Sequence, residues 1–221
     1  MAAATAPERT VWTLADLYER FGAIPFDRIR SDPAPGSGTE DDVVRIQLRE
    51  DLLYELIDGV LLRKAMGAYE SLLAGVVITF LNTFVWPRGL GYVLAPDGLI
   101  RLSPGLIRIS DVSFLSADRL PDGRFPHDPI CPIVPDLAVE ILSAGNTRKE
   151  MADKIAEYFT AGVRLVWFID PRAKTIQIFT APDQSRQLRE SDILDGGDVL
   201  PGFELPLQRL FADPPGGGRM V

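Results

Sequence analysis

Cysteine and histidine are almost missing from this 221-residue chain, which has one of each, Cys131 and His127. One cysteine excludes an internal disulfide and a cysteine-rich zinc site, and it fits a reducing compartment, so a cytoplasmic setting is expected. Cys131 has no histidine partner or basic cluster in the sequence to make it a nucleophile. His127 stands in a stretch with Pro121, Pro126, Pro129, Pro132 and Pro135 and reads as a solvated loop residue. Positive charge is also short, with 23 Lys and Arg against 31 Asp and Glu, a net charge of −8. That deficit argues against a protein that coats nucleic acid by bulk electrostatics. It leaves room for a local phosphate site, because a bound divalent cation changes the local charge. The amino terminus lacks a basic segment followed by an apolar core, so no signal peptide is expected. A membrane-length run is lacking too. Residues 71–86 are uncharged, but Gly75, Thr79, Asn82 and Thr83 interrupt them and Pro87 stops them, which predicts a buried helix and no membrane partner.

What is present suits one large domain, or one domain with an extension. Thr13 starts a short helix with Leu14, Leu17, Tyr18 and Phe21 on one side and Gly22 as its stop. Residues 31–38 are a Pro/Gly/Ser linker, so residues 1–40 read as an appended N-terminal arm with a short helix. Val44, Ile46 and Leu48 alternate with Arg45 and Gln47, which predicts a half-exposed strand. Asp58-Gly59 between two apolar runs predicts a β-hairpin with a primed turn. Short strands follow at residues 92–94, 99–102 and 106–115, the last interrupted by Asp111. A strand at 175–179 is expected to close the sheet. Residues near Leu200 pack a little, and 211–221 form a flexible tail.

Residues 136–170 organise the rest as strand, helix, strand. Leu137, Val139 and Ile141 occupy one face of the first strand and Ala138 and Leu142 the other, with Glu140 between them. A carboxylate in an apolar strand needs a partner or a metal. Thr147 and Glu150 form a capping box, Met151, Ile155, Tyr158 and Phe159 form the packing face, and Gly162 ends the helix. Lys154 borders that face, and a right-handed crossover brings Leu165–Asp170 back parallel to the first strand. Glu140 and Lys154 are therefore expected to lean over one sheet edge. With Asp111, two carboxylates from adjacent strands can hold a hard cation such as Mg²⁺. A nearby ammonium can orient or deprotonate water and stabilise phosphate charge. The competing account is a buried Lys154–Glu140 ion pair with Asp111 capping a turn.

Four segments carry a resemblance: Tyr54-Glu-Leu-Ile-Asp-Gly59, Arg108-Ile-Ser-Asp-Val-Ser-Phe114, Pro135-Asp-Leu-Ala-Val-Glu-Ile-Leu-Ser143, and residues 154–171. In this order they resemble the Uma family of "putative restriction endonucleases", part of the PD-(D/E)XK nuclease superfamily. The resemblance implies an α/β fold, a restriction-endonuclease-like core with a mixed β-sheet flanked by helices, over residues 41–210 after the N-terminal extension. It implies a Mg²⁺-dependent DNA endonuclease in which Mn²⁺ can substitute, with Asp111 and Glu140 as metal ligands and Lys154 as the catalytic lysine. Ser110 replaces the usual proline, and Leu142 stands where the superfamily's lysine normally lies, so Lys154 represents a lysine moved to the helix. Glu70 is a candidate for the further acidic residue of the first core helix; the alternative is a charge favoured by that helix's dipole. Glu55 is a site candidate or a strand glutamate paired to a cation. Arg101, Arg108, Arg148 and Lys149 could contact phosphates. A catalytically silent nuclease fold serving as a protein- or nucleic-acid-binding module is the alternative function. The uncharged helix would suit a homodimer interface.

Overall fold

The computed structural model describes residues 11–64 and 67–212. In chain order the elements are α1 (Leu14–Phe21), α2 (Glu40–Glu50), β1 (Tyr54–Ile57), β2 (Val60–Arg63), α3 (Ala68–Val85), β3 (Gly91–Leu94), β4 (Ile100–Ser103), β5 (Leu106–Arg108) and β6 (Val112–Ser116). Then come β7 (Leu137–Ile141), α4 (Arg148–Ala161), β8 (Leu165–Asp170), β9 (Thr175–Ala181), β10 (Gln184–Arg189), β11 (Ile193–Gly196), β12 (Leu200–Pro206) and α5 (Leu207–Leu210). A six-stranded sheet runs β10-β9-β8-β7-β6-β3, a four-stranded sheet runs β2-β1-β5-β4, and β11 pairs with β12. The large sheet is mixed: β7 and β8 are parallel, joined through α4, while β6–β7 and β8–β9 are antiparallel.

The large sheet has an apolar layer on each face, as the alternation in β7 requires. Leu137, Val139 and Ile141 join the layer under α3, and Ala138 joins the layer under α4. α3 contributes Leu73, Ala74, Val77, Leu81 and Val85 to its layer. The expected buried helix is thus buried on one face only, since Leu72 and Trp86 are 57% and 70% exposed. The Thr79 and Thr83 hydroxyls donate to the carbonyls of Gly75 and Thr79, so those two hydroxyls are satisfied inside the helix, whereas the buried Asn82 Oδ1 has no partner among the described residues.

Several local expectations change. Residues 44–48 are not a strand: they lie in α2, whose Thr39 accepts from the Asp42 N–H while the Asp42 carboxylate accepts from the Thr39 N–H. That capping box, plus Val43 and Ile46 as the buried pair, overrides a three-residue alternation. In α1 only Leu17 and Phe21 are buried, while Leu14 and Tyr18 face solvent. Residues 106–115 are two strands in two sheets, because the chain leaves β5 at Arg108 and enters β6 at Val112. The large sheet ends at β10, not β9. Leu200, Phe203, Leu205, Leu207 and Leu210 are core residues, more than the slight packing expected there. Of the tail, residues 213–221 lie outside the described residues.

The hairpin is as expected. Asp58 and Gly59 both have positive φ, 51° and 74°, with Ile57 opposite Val60. The segment before α2 packs onto it: Leu17, Phe21 and Ile24 meet Ile57, Val60 and Leu62, and the Gly36 and Gly38 N–H groups donate to the Gly59 carbonyl at 2.9 and 2.8 Å. A Cβ at Gly59 would collide with the Gly36 backbone.

Candidate active site

The site lies where the two sheets meet. Because the chain changes sheets between Arg108 and Val112, Asp111 stands at the junction, and its N–H donates to the Val139 carbonyl at 3.0 Å. The β6–β7 register pairs Val112 with Val139, so Asp111 and Glu140 are neighbours across strands. Asp111 Oδ2 accepts from the Ile141 N–H at 2.6 Å, and Oδ1 lies 2.8 Å from Lys64 Nζ. Lys64 extends from the end of β2, donates to the Ile109 carbonyl at 2.7 Å and comes within 3.9 Å of Glu140 Oε2.

α4 supplies the opposite wall. Glu150, Lys154 and Tyr158 are spaced one turn apart and are its buried residues. Lys154 Nζ donates to Glu140 Oε2 at 2.9 Å and lies 3.6 Å from Glu55 Oε1, while the Tyr158 hydroxyl donates to Glu140 Oε1. Glu55, on β1, also accepts from Arg108 Nη1 at 2.8 Å and from the Ile109 N–H at 3.1 Å. Arg108 continues to Glu157, and Arg28, from the segment before α2, makes a two-pronged contact to Glu150. Thr147 caps α4 by accepting from the Glu150 N–H. The expected reciprocal half of that box is absent, since the Glu150 carboxylate turns to Arg28.

Asp111, Glu140, Lys154 and Glu55 therefore converge, each 4% exposed or less. Glu70, half-buried at the start of α3, lines the same cavity. The cavity is about 20 Å³, room for one water-sized occupant. Its walls carry five carboxylates (Glu55, Glu70, Asp111, Glu140, Glu150) against three cations (Arg28, Lys64, Lys154), a formal excess of two negative charges. Among the described residues no group of three or more His, Cys, Asp or Glu side chains is arranged to hold a metal ion. Asp111 and Glu140 are the hard oxygen donors of that wall that would take a divalent cation, but their oxygens contact the Ile141 N–H, Lys64, Lys154 and Tyr158, and the cavity as it stands has no room for the waters such an ion keeps.

The charges are strongly coupled. Burial alone would raise the Glu55 carboxyl, yet Lys154, Arg108 and Lys64 hold it well below the usual carboxylate range. Burial alone would lower the Lys154 ammonium, yet Glu140 and Glu55 raise it above an ordinary lysine. Burial and the Glu140 carboxylate raise the Tyr158 phenol well above its ordinary value. Lys154 is therefore a fixed positive charge at neutral pH and a poor base.

Sequence reasoning did not find Lys64, Arg28 or the hydrogen-bonding role of Tyr158. Tyr158 and Glu150 were detectable as residues one turn either side of Lys154; nothing local marks Lys64 or Arg28, which arrive through tertiary contact. Of the cations expected to meet phosphate, Arg108 is buried as an internal partner of Glu55, Arg101 pairs with Glu40, and Lys149 pairs with Asp153. His127 is exposed, as expected.

A mixed sheet flanked by helices, with a parallel strand–helix–strand crossover through α4, makes this an α/β nuclease-like fold. The same fold occurs in a crystal structure described as a "putative nuclease belonging to DUF820" from Anabaena variabilis, with a TM-score of 0.64 and 19% identity over 72% of this chain and 89% of that one. No curated protein matches the sequence. Residues 41–208 match the Uma2 family, described as "Putative restriction endonuclease", and the chain belongs to that family.

Proposed function

We propose that this chain is a Mg²⁺-dependent endonuclease that hydrolyses DNA phosphodiester bonds, with Mn²⁺ able to replace Mg²⁺. The observation that carries the reading is the convergence of Asp111 and Glu140, from adjacent strands, with the Lys154 ammonium in one negatively charged cavity. Asp111 and Glu140 would hold the cation. When bound, such an ion polarises a phosphate oxygen and neutralises charge that develops on it. Lys154, kept protonated by Glu140 and Glu55, orients water and stabilises negative charge on the phosphate. Glu55 anchors Lys154, and Tyr158 fixes the Glu140 carboxylate through its hydroxyl. Glu70 stands at the cavity wall as the additional acid. The same reading has the enzyme working in the cytoplasm as a homodimer that pairs through the exposed, uncharged face of α3.

Plasmid nicking with Mg²⁺ or Mn²⁺, against an EDTA control, tests this directly. Wild type is expected to nick, and Lys154→Ala to lose about a hundredfold or more of the rate, the scale for removing one preorganised electrostatic group. Equal rates in both would remove Lys154 from the mechanism. One observation favours a second reading, a catalytically silent binding module: Asp111, Glu140 and Glu55 are already ion-paired around a cavity of only about 20 Å³. Wild type that cleaves neither DNA nor RNA with either metal would favour it.

A further inference from the structure

A second cavity, about 420 Å³, opens beside the acidic one, and Ser143 and Asn146 line both. Its floor is apolar, with Phe168 and Phe179 meeting edge to face at 5.2 Å between ring centroids, flanked by Met151. Its rim carries Arg148, Arg172 and Gln177. In an acidic chain most of whose buried or half-buried arginines are ion-paired, the side chains of Arg148 and Arg172 make no ion pair or hydrogen bond among the described residues. Both are exposed.

Register fixes how this cavity relates to the acids. Glu140 on β7 is paired with Phe168 on β8, which is paired with Gln177 on β9, so the three side chains stand in a row on one sheet face. Adjacent members of that row are about 4.8 Å apart, the spacing of neighbouring strands. A strand of nucleic acid with a phosphate at the acidic cavity thus has a neighbouring base within reach of the cavity mouth above Phe168. The volume lies in the range of small-molecule sites, the apolar floor, where Phe168 and Phe179 are only 5% and 6% exposed, suits contact with a base, and the unpaired guanidinium groups suit the phosphates on either side.

Resting on the nuclease reading of the neighbouring cavity, we propose that this pocket binds one unstacked base of the DNA strand, next to the phosphate that a cation on Asp111 and Glu140 would hold. Base–aromatic contact there holds the strand in a fixed register, and Arg148 and Arg172 take the flanking phosphates. The substrate segment at the site is single-stranded or locally opened, since a base inside a duplex stack cannot reach the floor.

Binding without cleavage separates this from the catalytic reading. In EDTA, fluorescence anisotropy compares a labelled single-stranded DNA hexamer with the same hexamer lacking every base, so that the phosphates, and their electrostatics, are constant. Wild type is expected to bind the intact strand about tenfold more tightly, the size of one base–aromatic stack. Ala152→Trp, an exposed α4 position at the pocket, and Gln177→Trp, an exposed β9 position, each fill the cavity and are expected to abolish that preference; two variants guard against one misfolding. Arg172→Ala is expected to weaken both strands equally. Equal binding of the two strands by wild type, binding of neither, or a preference that survives in a folded tryptophan variant would overturn the proposal. Nicking by wild type in Mg²⁺ is scored separately, so an inactive protein that still prefers the intact strand would fail the catalytic reading and keep this one.

Discussion

Glu55 has the most demanding environment of any side chain in the site. It is 1% exposed, and its charge is balanced by Lys154 and Arg108, with Lys64 contributing. Burial opposes that charge and the three cations outweigh it, so its folded value lies well below the ordinary 4.5. As pH falls, the unfolded chain takes up that proton first, so the stabilisation is complete above about 4.5 and is lost as pH falls further. Lys154 has the opposite sign: its folded value is raised, so its contribution is complete below the ordinary 10.5 and declines as pH climbs beyond it. Glu55→Gln is expected to destabilise the protein at neutral pH by about 3–5 kcal/mol, because it leaves buried cations uncompensated. Urea denaturation across pH checks both points, and the variant's acid limb should be the flatter one. A variant as stable as wild type would mean the cluster contributes little.

At the scale of elements, the ends decide more than the middles. α2 forms because Thr39 and Asp42 satisfy each other's backbone donors and three acids follow the cap. Thr39→Ala is expected to cost about 1 kcal/mol, read as a lower denaturation midpoint with an unchanged slope. α4 keeps only half of that cap, the Thr147 hydroxyl accepting from the Glu150 N–H, and its start sets where Lys154 lies relative to Glu140. The break between β5 and β6 matters equally. If residues 106–115 ran straight on in one sheet, Asp111 would be an ordinary strand residue; the change of sheet places it beside Lys64 and Glu140. The Asp58-Gly59 turn was legible because both of its residues must adopt positive φ. The change of sheet was not, because Ser110-Asp111, the short polar pair between Arg108 and Val112, fits an interrupted strand as well as a turn and carries no glycine or proline to decide between them.

For the whole molecule, α3 is the element with an apolar face left to solvent. Its inner face is core, and its outer face exposes Leu72 and Trp86 with no charged residue between Glu70 and Arg88. Under the homodimer reading, sedimentation equilibrium should give a dimer at micromolar concentration and Leu72→Lys a monomer. A wild-type monomer there would remove the dimer. The N-terminal segment also matters at this scale: it docks Leu17, Phe21 and Ile24 on the hairpin and delivers Arg28 to Glu150, although the family match begins at residue 41.

From its own letters the chain settled the parallel strand–helix–strand unit and the hairpin, whose short-range periodicity and turn chemistry act within a few residues. Asp111 and Glu140 could be named because charge inside an apolar strand is conspicuous along the chain, whereas Lys154, in a charged helix, was marked by its place beside that helix's apolar face and by the family motif. Which partners meet those charges was decided only by folding. Lys64 reaches Asp111 across 47 positions of sequence and Arg28 reaches Glu150 across 122, and such pairings depend on how two sheets and a docked segment pack. Local propensity carries no information over those separations, so the electrostatic state of the site belongs to the tertiary structure.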